Sequence, residues 1–108
     1  MIILNPQDIN GYHKSGIIFA ELGYFKTAES AFKEALTLDA NSSDVMKNLG
    51  ALYANFGDFN KAILIWEKAL KIKPDDQELK KNIEHAKNLR GYWKNAKRTY
   101  NYPWGQRA

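Results

Sequence analysis

Apolar and small residues recur at helical spacing through the middle of the chain. In residues 43–56 they follow three- and four-residue steps, which places them on one face of a helix; they are Met46, Leu49, Gly50, Tyr53 and Phe56. Gly57 interrupts the pattern, since glycine readily takes the left-handed backbone of a helix end. A second stripe then runs to Pro74, which cannot continue a helix; it is Phe59, Ala62, Ile63, Trp66, Ala69 and Leu70. The pattern predicts two helices joined by a tight turn.

The same pair of stripes occurs twice. Residues 9–42 align with residues 43–76 at an offset of 34, and where the two differ an aromatic residue often replaces another, as in Phe19/Tyr53 and Phe32/Trp66. The identical positions are Gly16/Gly50, Ala20/Ala54, Gly23/Gly57, Phe25/Phe59, Ala28/Ala62, Ala35/Ala69 and Leu36/Leu70. Because no single helix pair can bury its apolar stripe alone, we expect the repeats to stack against one another.

A third, weaker copy begins at Gln77, and two interpretations of it are open. Gly91 falls at the turn position of the repeat, which favours a bent helix pair ending near Tyr102. An apolar stripe nevertheless runs straight through Gly91, as it would in one long capping helix; it is Leu79, Ile83, Ala86, Leu89, Trp93, Ala96 and Tyr100. We favour the bent pair, and we expect Asp75 with Glu78 to form the capping box that opens it.

These residues give the chain a resemblance to the tetratricopeptide repeat family, whose units are helix–turn–helix pairs of about 34 residues. Residues 43–76 carry the family's pattern most fully, through Met46, Leu49, Gly50, Tyr53, Ala62, Trp66 and Pro74. The resemblance implies an all-α fold, a right-handed superhelix of antiparallel helix pairs that forms an α-solenoid. We expect one domain over residues 1–108, with repeats at 9–42 and 43–76, a degenerate or capping unit at 77–102 and a tail at 103–108.

The resemblance also implies a concave groove, lined by the first helix of each repeat, that binds a peptide. The positions that would line it are His13, Lys14, Ile17, Lys47, Asn48, Ala51, Asn55, Lys81, Asn82, His85 and Asn88. Side-chain amides can bond a peptide backbone, and lysines can meet carboxylates. We therefore expect a non-catalytic scaffold that holds a segment of another protein, of acidic character; a merely solvated face is the alternative interpretation.

The distribution of charge indicates a second candidate surface in the C-terminal part of the sequence. The formal net charge is +4, yet residues 1–84 carry −2 and residues 85–108 carry +6 without an acid. This surface comprises Arg90, Lys94, Lys97, Arg98 and Trp104. It supports two alternative functions: binding of nucleic acid or an anionic surface through residues 87–107, or self-association through the terminal aromatics. A homo-oligomer therefore stays open, whereas nucleic acid is not the partner we expect first.

The composition contains little that could support catalysis. There is no cysteine, the two histidines His13 and His85 are far apart along the chain, and no phosphate-binding or nucleophile motif occurs. We expect no catalytic residue, no metal site and no cofactor. No apolar run is long enough to span a membrane, and the first residues lack the features of a secretory signal. These features lead us to expect a cytoplasmic protein.

Overall fold

The computed structural model describes residues 8–99, with side chains as far as Tyr92. Every regular element in that range is a helix, which confirms the predicted all-α fold. The helices are α1 (Ile9–Glu21), α2 (Phe25–Leu38), α3 (Ser43–Asn55), α4 (Phe59–Ile72) and α5 (Gln77–Thr99). Contacts are most extensive within the pairs α1–α2 and α3–α4, and α2–α3 and α4–α5 join the pairs into one stack.

Glycines form the two predicted turns. Gly23 separates α1 from α2 with φ of 84°, and Gly57 separates α3 from α4 with φ of 85°. A side chain at such a φ is strained, so glycine is the residue that these turns require. The turn positions predicted from the repeat are thereby confirmed.

A glycine in each first helix faces the aromatic residue of its second helix. The ring of Phe32 lies directly over Gly16, and the indole of Trp66 lies directly over Gly50; a β-carbon at either glycine would overlap the ring. The Trp66 Nε1–H also donates to the carbonyl oxygen of Lys47 at 3.0 Å. The absence of a side chain thus allows each helix pair to approach closely around a buried ring.

A buried polar contact joins the two repeats. The Tyr53 hydroxyl on α3 donates to a Glu29 carboxylate oxygen on α2 at 2.7 Å, and Lys33 lies 3.4 Å from the same oxygen. The hydrogen bond from Tyr53 lowers the pKa of Glu29, while burial raises the pKa of the Tyr53 hydroxyl. The buried carboxylate therefore stays ionised and hydrogen-bonded across the interface between repeats.

Most helices begin with a side-chain cap. The carboxylates of Asp8 and Asp58 and the hydroxyl of Ser42 accept from backbone amides in the first turns of α1, α4 and α3. At the start of α5 the cap is Asp76, whose Oδ1 accepts from the Leu79 amide at 3.1 Å. The predicted capping by Asp75 is therefore wrong by one residue, because α5 begins at Gln77.

The third copy differs from the interpretation that we favoured. Residues 77–99 form one continuous helix, and Gly91 lies within it without the positive φ of the other two turn glycines. The bent helix pair is therefore wrong. Glycine permits a turn but does not require one. Before Gly91, the helix buries Leu79, Ile83 and Ala86. Residues 100–102 of the predicted unit and the tail at 103–108 lie outside the described residues.

We expect alanine to have opposite effects at two helical glycines. Gly50→Ala should lower the free energy of unfolding by about 1–3 kcal/mol, because its methyl group overlaps Trp66. Gly91→Ala should raise it by up to about 1 kcal/mol, because alanine favours a helix and no described atom lies within 4 Å of the added methyl group. Urea unfolding followed by circular dichroism measures both; a destabilising Gly91→Ala would contradict the continuous helix.

Candidate functional site

The first helices of the successive units lie next to one another. α1 and α3 are in direct contact, and the side chain of Lys47 on α3 reaches the beginning of α5. We call the surface formed by α1, α3 and α5 the groove. It is the surface on which the predicted binding residues were placed by the repeat alignment.

Two of the predicted residues, one on α1 and one on the adjacent α3, form a hydrogen bond with each other. The side-chain amide nitrogen of Asn48 lies 2.6 Å from Nε2 of His13, so that the amide donates and the imidazole accepts. The His13 ring also meets Phe32 edge to face, with the ring centroids 6.1 Å apart. These contacts hold both side chains in one arrangement where α1 meets α3.

Lys47, another predicted groove residue, has two partners within the chain. Its ammonium nitrogen lies 2.8 Å from Oδ2 of Asp76 and 2.8 Å from Oε1 of Glu78, and its side chain is 25% exposed. The hydrogen bonds to these carboxylates raise the pKa of Lys47, and the hydrogen bond from Lys47 lowers the pKa of Asp76. The positive charge therefore meets acids of this chain, and the group of three side chains carries a formal charge of −1.

Sequence reasoning missed Asp76 and Glu78 as parts of this site. Asp76 uses both of its oxygens, one to cap α5 and the other to hold Lys47 on α3. The only signal in the sequence was the pair of acids after Pro74, which by itself predicts a helix cap. Its second partner lies on another helix, at a position that only the stacking of the repeats determines.

The other predicted groove residues differ in exposure. Ile17 and Ala51 are half-buried and pack against the core, and Asn82 is half-buried on α5. The exposed members are Lys14, Asn55, Lys81, His85 and Asn88. The exposed polar groups of the groove are therefore two ammonium groups, two side-chain amides and an imidazole.

The second candidate surface is only partly described. Arg90 donates from Nη1 to Oδ1 of Asn60 at 2.8 Å and so connects α5 to the first turn of α4. Lys94, Lys97 and Arg98 lie on α5, but their side chains are outside the described residues, as is Trp104. Binding of nucleic acid or an anionic surface, and self-association through the terminal aromatics, stay predictions.

Metal-binding clusters and membrane-spanning helices are both absent from residues 8–99. No group of three or more histidine, cysteine, aspartate or glutamate side chains in the described part of the chain is placed to hold a metal ion. No helix within that range is both long and apolar enough to cross a membrane.

The family model described as a tetratricopeptide repeat matches residues 19–82, more than half of the chain. The chain belongs to the tetratricopeptide repeat family. Its fold is the right-handed superhelix of helix pairs that the sequence predicted, and members of this family are generally non-catalytic scaffolds for protein–protein interaction.

Curated relatives share this repeat. The chain is 31% identical over 75 residues to the photosystem I assembly protein Ycf3 of Synechococcus sp. (strain CC9605), covering 67% of this chain and 43% of Ycf3. It is 30% identical over 87 residues to human protein O-mannosyl-transferase TMTC1, covering 81% of this chain and 10% of TMTC1. The match to a transferase therefore involves a tenth of that protein, and it assigns no transferase activity to this chain.

The solved structures agree with the fold. The crystal structure of MamA superimposes with a TM-score of 0.78 at 26% identity, covering 83% of this chain and 53% of MamA. The tetratricopeptide repeat protein TTC0263 of Thermus thermophilus gives a TM-score of 0.71 at 29% identity, covering 76% of this chain and 42% of that one. The chain thus spans about half or less of the length of each of these four proteins.

Replacing Asp76 tests the contact between α3 and α5. Because the folded-state pKa of Asp76 is lowered, its charge stabilises the fold above its unfolded pKa of about 3.9, and this contribution is lost as pH falls through the lower folded value. Asp76→Asn should therefore lower the urea midpoint at pH 7, and its difference from the wild type should shrink towards pH 3. The neighbouring Asp75→Asn is the matched control, and it should leave the midpoint unchanged. If the difference in urea midpoint between Asp76→Asn and the wild type stays constant with pH, the charge of Asp76 does not contribute to stability.

Proposed function

We propose that the chain binds a segment of a partner protein, in an extended conformation, along the groove. The family supports an interaction scaffold in general. The observation that carries the more specific proposal is the set of side-chain amides on α3 and α5. Asn48 and Asn55 lie about two turns apart on one face of α3, and Asn82 and Asn88 lie on α5.

Side-chain amides suit a ligand whose sequence varies. Each amide carries both a donor and an acceptor, so it can bond the N–H and C=O groups that every peptide repeats along its backbone. Asn55 and Asn88 are exposed, and Asn82 is half-buried. A segment lying across α3 and α5 would therefore gain affinity from its backbone, and only its charged side chains would add preference for a particular sequence.

The charge preference of the groove rests on Lys14 and Lys81. Both are exposed, whereas Lys47 already meets Asp76 and Glu78. A carboxylate of the partner would gain from Lys14 on α1 or Lys81 on α5, and it would be repelled by the exposed Glu78. We therefore propose an acidic segment whose charges lie at its two ends, away from the acids beside Lys47.

The test uses amides other than Asn48. Asn48 is unsuitable because it also bonds His13, so the variant should be Asn55→Ala with Asn88→Ala. Affinity capture with nuclease-treated extract identifies the retained protein, and calorimetry with its binding segment gives the affinity. We expect the double variant to bind at least about fivefold more weakly, because each of the two lost hydrogen bonds costs about 0.5–1.5 kcal/mol.

A matched control separates the groove from the surface in general. Asn41 is an exposed asparagine between α2 and α3 and outside the groove, so Asn41→Ala should bind as the wild type does. Equal capture by the wild type and the double variant would refute the groove. Capture from untreated extract that is lost after nuclease treatment, or capture that is lost at high salt, would instead favour residues 87–107.

A further inference from the structure

The edge of the stack carries an exposed aromatic patch that the groove does not include. We define the edge patch as Tyr24, Phe25, Lys26, Phe56 and Lys61, at the turns of the first and second repeats. Tyr24 is 58% exposed and Phe56 is 52% exposed. Phe25 lies between the two repeats, with its ring centroid 4.7 Å from that of Phe56 and 6.1 Å from that of Tyr53.

Tyr24 packs its ring against Phe19, with the centroids 6.2 Å apart, at a position where a capping residue is usual. It is the residue before α2 and makes no side-chain cap, whereas its counterpart in the second repeat, Asp58, accepts from the Lys61 amide at 3.1 Å. The two residues have nearly the same backbone, with φ and ψ of −87° and 80° for Tyr24 and −91° and 76° for Asp58. The first repeat thus has an exposed aromatic ring where a cap would be expected, and such departures from local preference often mark sites of function.

The ion-paired side chains beside the patch carry one positive charge in excess, which Lys33 outside the patch contributes. Lys26 lies 5.6 Å from the centre of the Phe25 ring and Lys61 lies 5.6 Å from the centre of the Tyr53 ring. Within the described part of the chain, Lys26 and Lys33 form ion pairs with Glu29, which is buried and bonded to Tyr53. Lys61 forms an ion pair with Asp58, which also caps α4. The formal charges of these five side chains sum to +1. The side chain of Lys26 is 89% exposed, and its ammonium nitrogen lies 4.0 Å from Oε1 of Glu29.

From this arrangement we infer that the edge patch docks an acidic segment of a partner protein through an aromatic side chain of that segment. The aromatic side chain packs between Tyr24 and Phe56, where exposed rings offer apolar area at little cost in conformational entropy. The flanking carboxylates meet Lys26 and Lys61. The edge patch and the groove share no residue, although Phe56 directly follows Asn55.

The test begins with a defined probe, the peptide acetyl-Gly-Asp-Glu-Trp-Asp-Glu-Gly-amide, titrated into the ¹⁵N-labelled full chain. We expect amide shifts at residues 24–26 and 56–61. A peptide with alanine in place of tryptophan, and one with lysine in place of each acid, should each bind at least about tenfold more weakly. The absence of any shift at millimolar probe, or shifts at Lys81 and Asn88 in the groove instead, would overturn the proposal.

The decisive variant is Tyr24→Asp, because it removes the ring while supplying the missing cap. Its Tm should stay within about 4 °C of the wild-type value, because the gained cap and the lost ring contact with Phe19 are each worth about 1 kcal/mol. Its affinity for the probe should fall at least about tenfold, and weaker binding by a chain of nearly unchanged stability cannot be attributed to unfolding. Lys26→Glu should also weaken binding, and the loss should diminish at high salt.

Leu64→Ser is the matched control, because Leu64 is a 64% exposed apolar residue on α4 outside the patch. It should bind the probe as the wild type does. The proposal would be overturned if Tyr24→Asp bound the probe with wild-type affinity. It would also be overturned if Leu64→Ser lost as much affinity for the probe as Tyr24→Asp does. A dimer seen by sedimentation that Tyr24→Asp dissociates would assign the patch to a second copy of this chain and overturn it as well.

Discussion

The stack depends on the fit between a glycine and a large ring in each helix pair. Gly16 with Phe32, and Gly50 with Trp66, bring the two helices of a repeat so close that a single methyl group would not fit between them. Protein interiors are packed densely enough that such a fit fixes the relative position of the two helices. Each pair then presents one combined apolar surface, and the next repeat must cover that surface.

Polar contacts between the repeats help to fix how one repeat is positioned on the next. Tyr53 reaches back to Glu29 in the first repeat, and Lys47 reaches forward to Asp76 and Glu78 at the beginning of α5. The buried Glu29 carboxylate would be costly without its hydrogen bond and ion pair, so its contact with Tyr53 favours one register of the repeats over its neighbours. The same contacts determine which side chains remain available to a ligand. Lys47 is held by acids of its own chain, whereas Lys14 and Lys81 stay exposed.

Two surfaces with different chemistry result from this arrangement. The groove offers amides and an imidazole, which suit the backbone of a bound segment, and the edge patch offers aromatic rings beside ammonium groups, which suit one large side chain. The first repeat accommodates the second surface by leaving α2 without a side-chain cap at Tyr24. The second repeat has a capping aspartate at the equivalent position.

The sequence by itself determined the features that depend on neighbours along the chain, whereas only the tertiary structure decided what happens between repeats. The period of the apolar residues predicted the helices, and the recurrence of Gly23 and Gly57 predicted their turns, because helical geometry leaves little freedom within one repeat. Gly91 can form a turn or continue a helix, and the sequence of the repeat alone does not distinguish the two; in the structure α5 continues through it. Asp76 and Lys47 are distant in sequence, and their ion pair exists only because stacking brings the start of α5 to α3. Such contacts depend on the angle between packed helices, which no local pattern of residues encodes.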